Sequence, residues 1–198
     1  MEKDDFINVF WEYYFGLEND FIFTIRYVSI TESNYKTYST EYAKLLLSIC
    51  SEVDVILKKI CDFEGSKMKN VNDYLQKIIK KELMEKNNKV TLKSPHSKLT
   101  LTPFDRWKET KNLSWWTDYN KVKHNRSENI EKANLKNVLT SLSALYLLEN
   151  YLYQKIIKDE VDVIDFIEPP SKLFSLNWDA KMKSIENMHY TIVGQIEN

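Results

Sequence analysis

The chain has 198 residues, the length of one domain or of one domain with a tail. Twenty-eight Lys and Arg against 29 Asp and Glu leave a net charge of -1, which excludes a globally basic nucleic-acid coat and a polybasic membrane binder, so any basic site must be local. With 43% hydrophobic residues but only 3 Gly and 4 Pro, the composition excludes long disorder, a collagen-like repeat and a glycine-rich all-β design. Helix is the expected class.

Residues 4 to 30 carry Phe6, Phe10, Tyr13, Tyr14, Leu17, Phe21, Ile25 and Val28 at steps of three and four, the helical period. Gly16, followed by Asn19 and Asp20 as caps, is expected to split this stretch into two helices. The segment is rich in aromatics, but a base-stacking surface needs interleaved cations, and only Lys3 and Arg26 are present. Core or subunit interface is therefore the expectation.

A second helix is expected from about Ser39 to Cys61, with Tyr42, Leu45, Leu46, Ile49, Val53, Ile56, Leu57 and Ile60 as its buried stripe. Cys50 and Cys61 share a face of it but lie about 16 Å apart along the axis, so they form no disulfide. Glu52 falls on the edge of the stripe, where a carboxylate needs a partner.

Residues 70 to 87 read as a lysine-rich amphipathic helix. The period then changes to two, with Val90 and Leu92, then Leu99 and Leu101, flanking Ser94-Pro95-His96-Ser97. Proline in the second position of a four-residue turn predicts a small hairpin at about 89–102. His96 at its tip has no cysteine, histidine or carboxylate cluster at ligand spacing, so no metal site and no cofactor are expected. Pro103 and Phe104 end the hairpin.

Ser114 is expected to cap a short helix reading SWWTDYNKVKHNR. Trp115, Tyr119 and Val122 share its apolar face, whereas Thr117, Asn120, His124 and Ser127 form an uncharged polar stripe on the other side. Imidazoles titrate near neutral pH, which suits general acid and base work. Lys121, Lys123 and Arg126 lie around His124. Residues 105 to 126 hold six cations and three anions, a local excess that can hold phosphate. The stripe reads either as a solvated helix face or as a functional surface. No GxSxG, Walker loop, HExxH or glycine-rich fingerprint competes with it.

The last long helix is expected from about Ala133 to Ile157. It is apolar on most sides and so is central to a bundle or a dimer. Its richest run, Ala144 to Leu148, is closed by Glu149, far short of the ~18 apolar residues that crossing a bilayer requires. Beyond it, DEVDVIDFIEPP joins five acids to a double proline. Phe174, Leu176 and Trp178 suggest that the remaining tail docks on the body. The acidic start MEKDDF is unlike a signal peptide, and with free thiols this leads to the expectation of a soluble, cytoplasmic protein without membrane contact.

The block PFDRW at 103–107, the block WWTDYNKVKHNR at 115–126 and the Ala-Asn-Leu start of the last helix resemble the HEPN superfamily of prokaryotic helical proteins. The segment YSTEYAKLLLSICSEVD resembles the first long bundle helix of that group, and the likeness covers about residues 38 to 157. It implies an HEPN-like helical bundle, and with the N-terminal aromatic helix and the small hairpin read from the periodicity above, the expected fold is an all-α, HEPN-like bundle with an N-terminal aromatic helix and a small hairpin insertion. The parts are then an N-terminal helical segment at 1–35, the bundle at 36–158, and an acidic linker with a docking tail at 159–198. It also implies a homodimer, and a role in bacterial phage defence by abortive infection or in a toxin-antitoxin pair, as a metal-independent endoribonuclease. An antitoxin or a phage protein is the implied partner.

The family's motif is an arginine, often followed by a polar residue, four to six residues before a histidine. His124 matches the histidine and Asn120 the polar residue, while the arginine positions hold Tyr119, Asp118 and Thr117. Two readings follow. In the first, His124 deprotonates a ribose 2′-OH, Asn120 orients it, and Lys121, Lys123 or Arg126 neutralises the phosphate, with the same groups of a second subunit facing them. Tyr119, Thr117 and Glu52 support this site, and Glu52 should reach Asn120, His124 or a nearby lysine. In the second, the chain is a catalytically inactive dimer module that binds RNA or protein through the same stripe.

Overall fold

The structure, a computed structural model, describes residues 1–61, 73–74, 89–93, 99–105, 107–110, 112–157 and 167–176. Most of the lysine-rich segment 70–87, the turn with His96, Arg106, the acidic run 159–166 and Trp178 lie outside the described residues. The described residues are mainly helical, with one small three-stranded sheet.

The N-terminal aromatics build one continuous helical rod of α1 (Lys3–Phe6), a π-helical turn (Ile7–Trp11) and α2 (Glu12–Thr24). The expected break at Gly16 does not occur. Tyr14, Leu17 and Phe21 are buried on both sides of it, and the apolar area they remove from water outweighs the roughly 1 kcal/mol that a mid-helix glycine costs. The extra residue of the π turn shifts the phase of the rod, so that Phe6, Phe10, Trp11 and Tyr14 are all buried.

Helix α3 (Thr40–Ile60) begins where Ser39 is extended and its hydroxyl accepts the Tyr42 N–H at 3.0 Å, a cap worth about 1 kcal/mol. Lys58 and Lys59 in its last turn suit the negative end of the helix dipole. Cys50 and Cys61 are buried free thiols, and burial pushes the Cys50 thiol up, away from reactivity.

From Val90 the period changes and residues pair as strands. β1 (Val90–Leu92) and β2 (Thr100–Leu101) are antiparallel, with Val90 opposite Leu101. A third strand, β3 (Phe174–Leu176), lies antiparallel on the other edge of β1, with Leu92 opposite Phe174. β1 is therefore central, and the expected hairpin is two-thirds of a sheet that the tail completes.

A short helix α4 (Trp107–Thr110) leads to α5 (Ser114–His124). Ser114 is the first helical residue of α5 rather than its cap: Leu113 holds the cap position with extended backbone. Helix α5 stops at His124, where Asn125 leaves helical geometry at φ -148° and ψ 72°. Arg126 opens a separate short helix, α6 (Arg126–Asn129), so the helical phase of α5 does not govern Arg126 or Ser127.

Asn134 starts α7 (Leu135–Ile157), its Oδ1 accepting the Asn137 N–H at 3.1 Å. Leu135 N–H donates to Thr37 O at 2.9 Å and Lys136 N–H to Tyr35 O at 3.2 Å. At the far end Lys155 Nζ donates to Lys59 O at 3.3 Å. Helices α3 and α7 therefore run side by side in the same direction. Nearly every face of α7 is buried, because α3, α5, the rod and β3 all pack on it. Phe6 stacks near Tyr153 at 5.3 Å and Tyr14 near Tyr146 at 5.8 Å, so the rod runs antiparallel to α7. Tyr146 also meets Phe174 at 5.5 Å, which joins helix, rod and sheet in one core.

The segment 167–176 crosses the rod as a strap. Phe174 and Leu176 are buried, and Trp11 Nε1 donates to Pro169 O at 2.8 Å. Its anchor is Glu18, which has no exposed surface. That carboxylate accepts from Tyr14 OH (2.8 Å), Lys172 N–H (2.9 Å), Leu173 N–H (3.1 Å) and the Ser171 hydroxyl. Four donors replace the water that the charge gives up on burial.

Candidate functional site

Helix α5 is held by its apolar face. Trp115, Tyr119 and Val122 are buried, and Trp115 Nε1 donates to Pro103 O at 2.8 Å. Phe104 stacks on Trp107 at 5.4 Å and meets Trp115 edge-on at 6.2 Å, so Pro103, Phe104 and Trp107 are part of the support of this helix. Asp118 adds a polar tie to α7, accepting from Asn137 Nδ2 at 3.0 Å.

This packing leaves His124 exposed at the C-terminal end of α5. Lys121, Lys123 and Arg126 are exposed around it, and Asn120, one turn back, is half-buried. Among the described residues neither the His124 imidazole nor the Asn120 amide has a hydrogen-bond partner, so both are open to a ligand. The cations differ. Lys121 Nζ lies 3.5 Å from Asp118 Oδ1, which offsets part of its charge. Lys123 Nζ sits 5.5 Å from the centroid of the Tyr119 ring, and the ring's negative face steadies it. Chemically the face offers one proton carrier, one amide and three cations to an anionic ligand.

Two expected supporting residues are committed elsewhere. The Thr117 hydroxyl donates to Asn112 Oδ1, an interaction that steadies the start of α5. The Tyr119 ring is buried against Trp116 at 5.3 Å. It therefore occupies core space and brings no charge to the α5 face.

Among the described residues Glu52 has no hydrogen bond or ion pair with Asn120, His124 or a lysine, the contact expected of it. Its electrostatic neighbour is Glu149 on α7. Twelve residues of α7 separate Asn137, where Asp118 is held, from Glu149, which is about 18 Å along the axis. Glu52 is half-buried and burial raises its carboxyl above the usual range. Glu149 has no exposed surface, and among the described residues neither carboxylate oxygen has a hydrogen-bond partner. Burial first, and then the charge of Glu52, hold it well above the usual carboxylate range. The sequence signal for this pair was a lone acid closing an apolar run, at Glu149. Asn137, as the partner of Asp118, had no signal of its own.

Among the described residues no group of three or more His, Cys, Asp or Glu is placed to hold a metal ion. No described helix is long and apolar enough to cross a membrane. Comparison of the chain with protein-family models, with curated proteins and with solved structures gives no match.

Proposed function

We propose that this is an HEPN-like helical protein of bacterial phage defence or of a toxin-antitoxin pair, cytoplasmic and homodimeric, whose α5 face acts on RNA without a metal ion. The observation that carries the reading is the exposure of His124 beside Lys121, Lys123 and Arg126, with Asn120 one turn back. His124 takes the proton of a ribose 2′-OH, whose oxygen then attacks the adjacent phosphorus as the bond to the 5′-oxygen breaks. The imidazolium returns its proton to that leaving oxygen, Asn120 orients the 2′-OH, and Lys123 and Arg126 offset the charge that builds on the phosphate.

A second reading, an HEPN-like module that binds RNA without cutting it, is favoured by Tyr119. Its buried ring leaves the motif's cation position empty of charge. Incubation of purified protein with RNA, with and without a chelator, separates the two. Cleavage that survives chelation and is lost in His124→Ala supports the nuclease. Retention of RNA without products, lost in Lys123→Ala combined with Arg126→Ala, supports the binding module. Neither cleavage nor retention refutes both.

A further inference from the structure

Helix α5 places an aromatic ring in the same row as its amide and its cations. Trp116, Asn120 and Lys123 follow at steps of four and three, and His124 comes next, so the four share one side of the helix. Trp116 is half-buried, whereas Trp115, Tyr119 and Val122 are buried. Its ring neighbours leave it unstacked: Trp115 lies at 5.7 Å with an interplanar angle of 82°, and Tyr119 at 5.3 Å with 57°. In the core, by contrast, Trp11 lies nearly parallel to Tyr14 at 22° and Phe104 to Trp107 at 27°. The indole nitrogens of Trp11 and Trp115 donate to backbone carbonyls, whereas among the described residues that of Trp116 has no acceptor. Trp116 is thus half open, with no described ring lying parallel on it and its N–H uncommitted.

We infer that Trp116 is the platform on which an unpaired nucleobase stacks when the phosphate of its strand lies at Lys123 and Arg126 beside His124. Proteins hold single strands with cations that follow the backbone and with aromatic rings on which successive bases stack, since every base has a π face. The N-terminal rod has the rings without the interleaved cations; α5 has both. Tyr119 joins them, its ring meeting Trp116 at 5.3 Å and carrying Lys123 Nζ 5.5 Å from its centroid. Trp116 and His124 are eight residues apart, about 12 Å along the axis, a span that the nucleotides next to a phosphate at His124 cover, with Asn120 between the two. Bases inside a duplex are stacked and paired already, so this platform selects an unpaired strand.

The choice of RNA as the strand rests on the reading above; the part Trp116 plays is tested apart from it. Full-length protein carrying His124→Ala, which keeps the strands intact, is titrated with end-labelled oligoadenylate, with an abasic strand of the same length and with an RNA duplex, and binding is followed by fluorescence anisotropy. Oligoadenylate should bind tightest. Adding Trp116→Leu should raise its dissociation constant roughly 5- to 100-fold and leave the abasic strand as it was, while Trp116→Phe should restore most of the affinity. Lys123→Ala should instead weaken both strands alike and lower the dependence on salt. In the NMR spectrum one indole N–H signal, missing from Trp116→Phe, should move with oligoadenylate and stay in place with the abasic strand. If Trp116→Leu does not fold, this signal and the comparison of the two strands decide the question. Oligoadenylate that binds no better than the abasic strand, or an affinity indifferent to Trp116→Leu, overturns the inference and leaves the RNA reading standing. A protein that retains no strand, from a wild type that cuts none, refutes both.

Discussion

Glu18→Ala removes the acceptor for four donors while leaving the strap's apolar contacts in place. Tyr14 OH keeps a partner, because Ser171 Oγ lies 3.2 Å away. Leu173 N–H is buried and loses its acceptor, Lys172 N–H is half-buried and regains water in part, and the Ser171 hydroxyl must turn. At about 1–3 kcal/mol for each buried donor left unpaired, the loss comes to about 4 kcal/mol. In a chain of this length that is a fall in Tm of roughly 8–16 °C. The alternative route is local release of the strap, which limits the global loss and opens the edge of β1. Urea denaturation gives the total, and hydrogen exchange at Lys172, Leu173 and the β1 amides shows which route is taken. Glu18→Gln retains one acceptor oxygen and should lose about half as much. If Glu18→Ala stays within about 1 kcal/mol of wild type and amides 172 and 173 remain protected, the strap is held by Phe174 and Leu176 alone and the account of Glu18 is wrong.

Glu149 predicts a pH dependence whose sign follows from burial. Its carboxyl is raised in the folded chain, so above the ordinary glutamate value of about 4.3 the unfolded chain releases a proton that the folded chain keeps. The contribution of Glu149 to stability is therefore greatest below that pH and falls as pH rises towards the folded value, by up to about 1.4 kcal/mol per unit. Glu149→Gln should flatten the slope of urea midpoints between acid and neutral pH; an equally steep slope in the variant assigns it to another group. His124→Ala should keep the fold to within about 0.5 kcal/mol, since the side chain is exposed, and should abolish RNA cleavage, with chelators having no effect on the wild type. Tyr119→Arg should cost about 3 kcal/mol or more by forcing a charge into the space of a buried ring; a stable variant that cuts RNA faster than wild type would instead show that the site lacks only its cation.

What the sequence by itself determined was every feature written in local spacing. The stripe from Tyr42 to Ile60 behind Ser39, the leucines of 135–157 and the alternation around Val90 and Leu101 each repeat within a few residues, and the elements formed where that period placed them. The exposure of His124 opposite Trp115 was legible for the same reason, because one turn of helix separates core from solvent. Gly16 shows the limit of local signals: the glycine and the caps after it favoured a break, and burial by α7 outweighed them. Only the tertiary structure decided which residues met across the chain. Glu18 binds residues 153 to 155 positions away, β3 adds itself to β1, and Glu52 faces Glu149 rather than His124. Such pairings depend on how long helices pack and where the tail returns. They leave no period in the sequence, and the burial that makes a carboxylate such as Glu149 hold its proton exists only once the surrounding helices have closed over it.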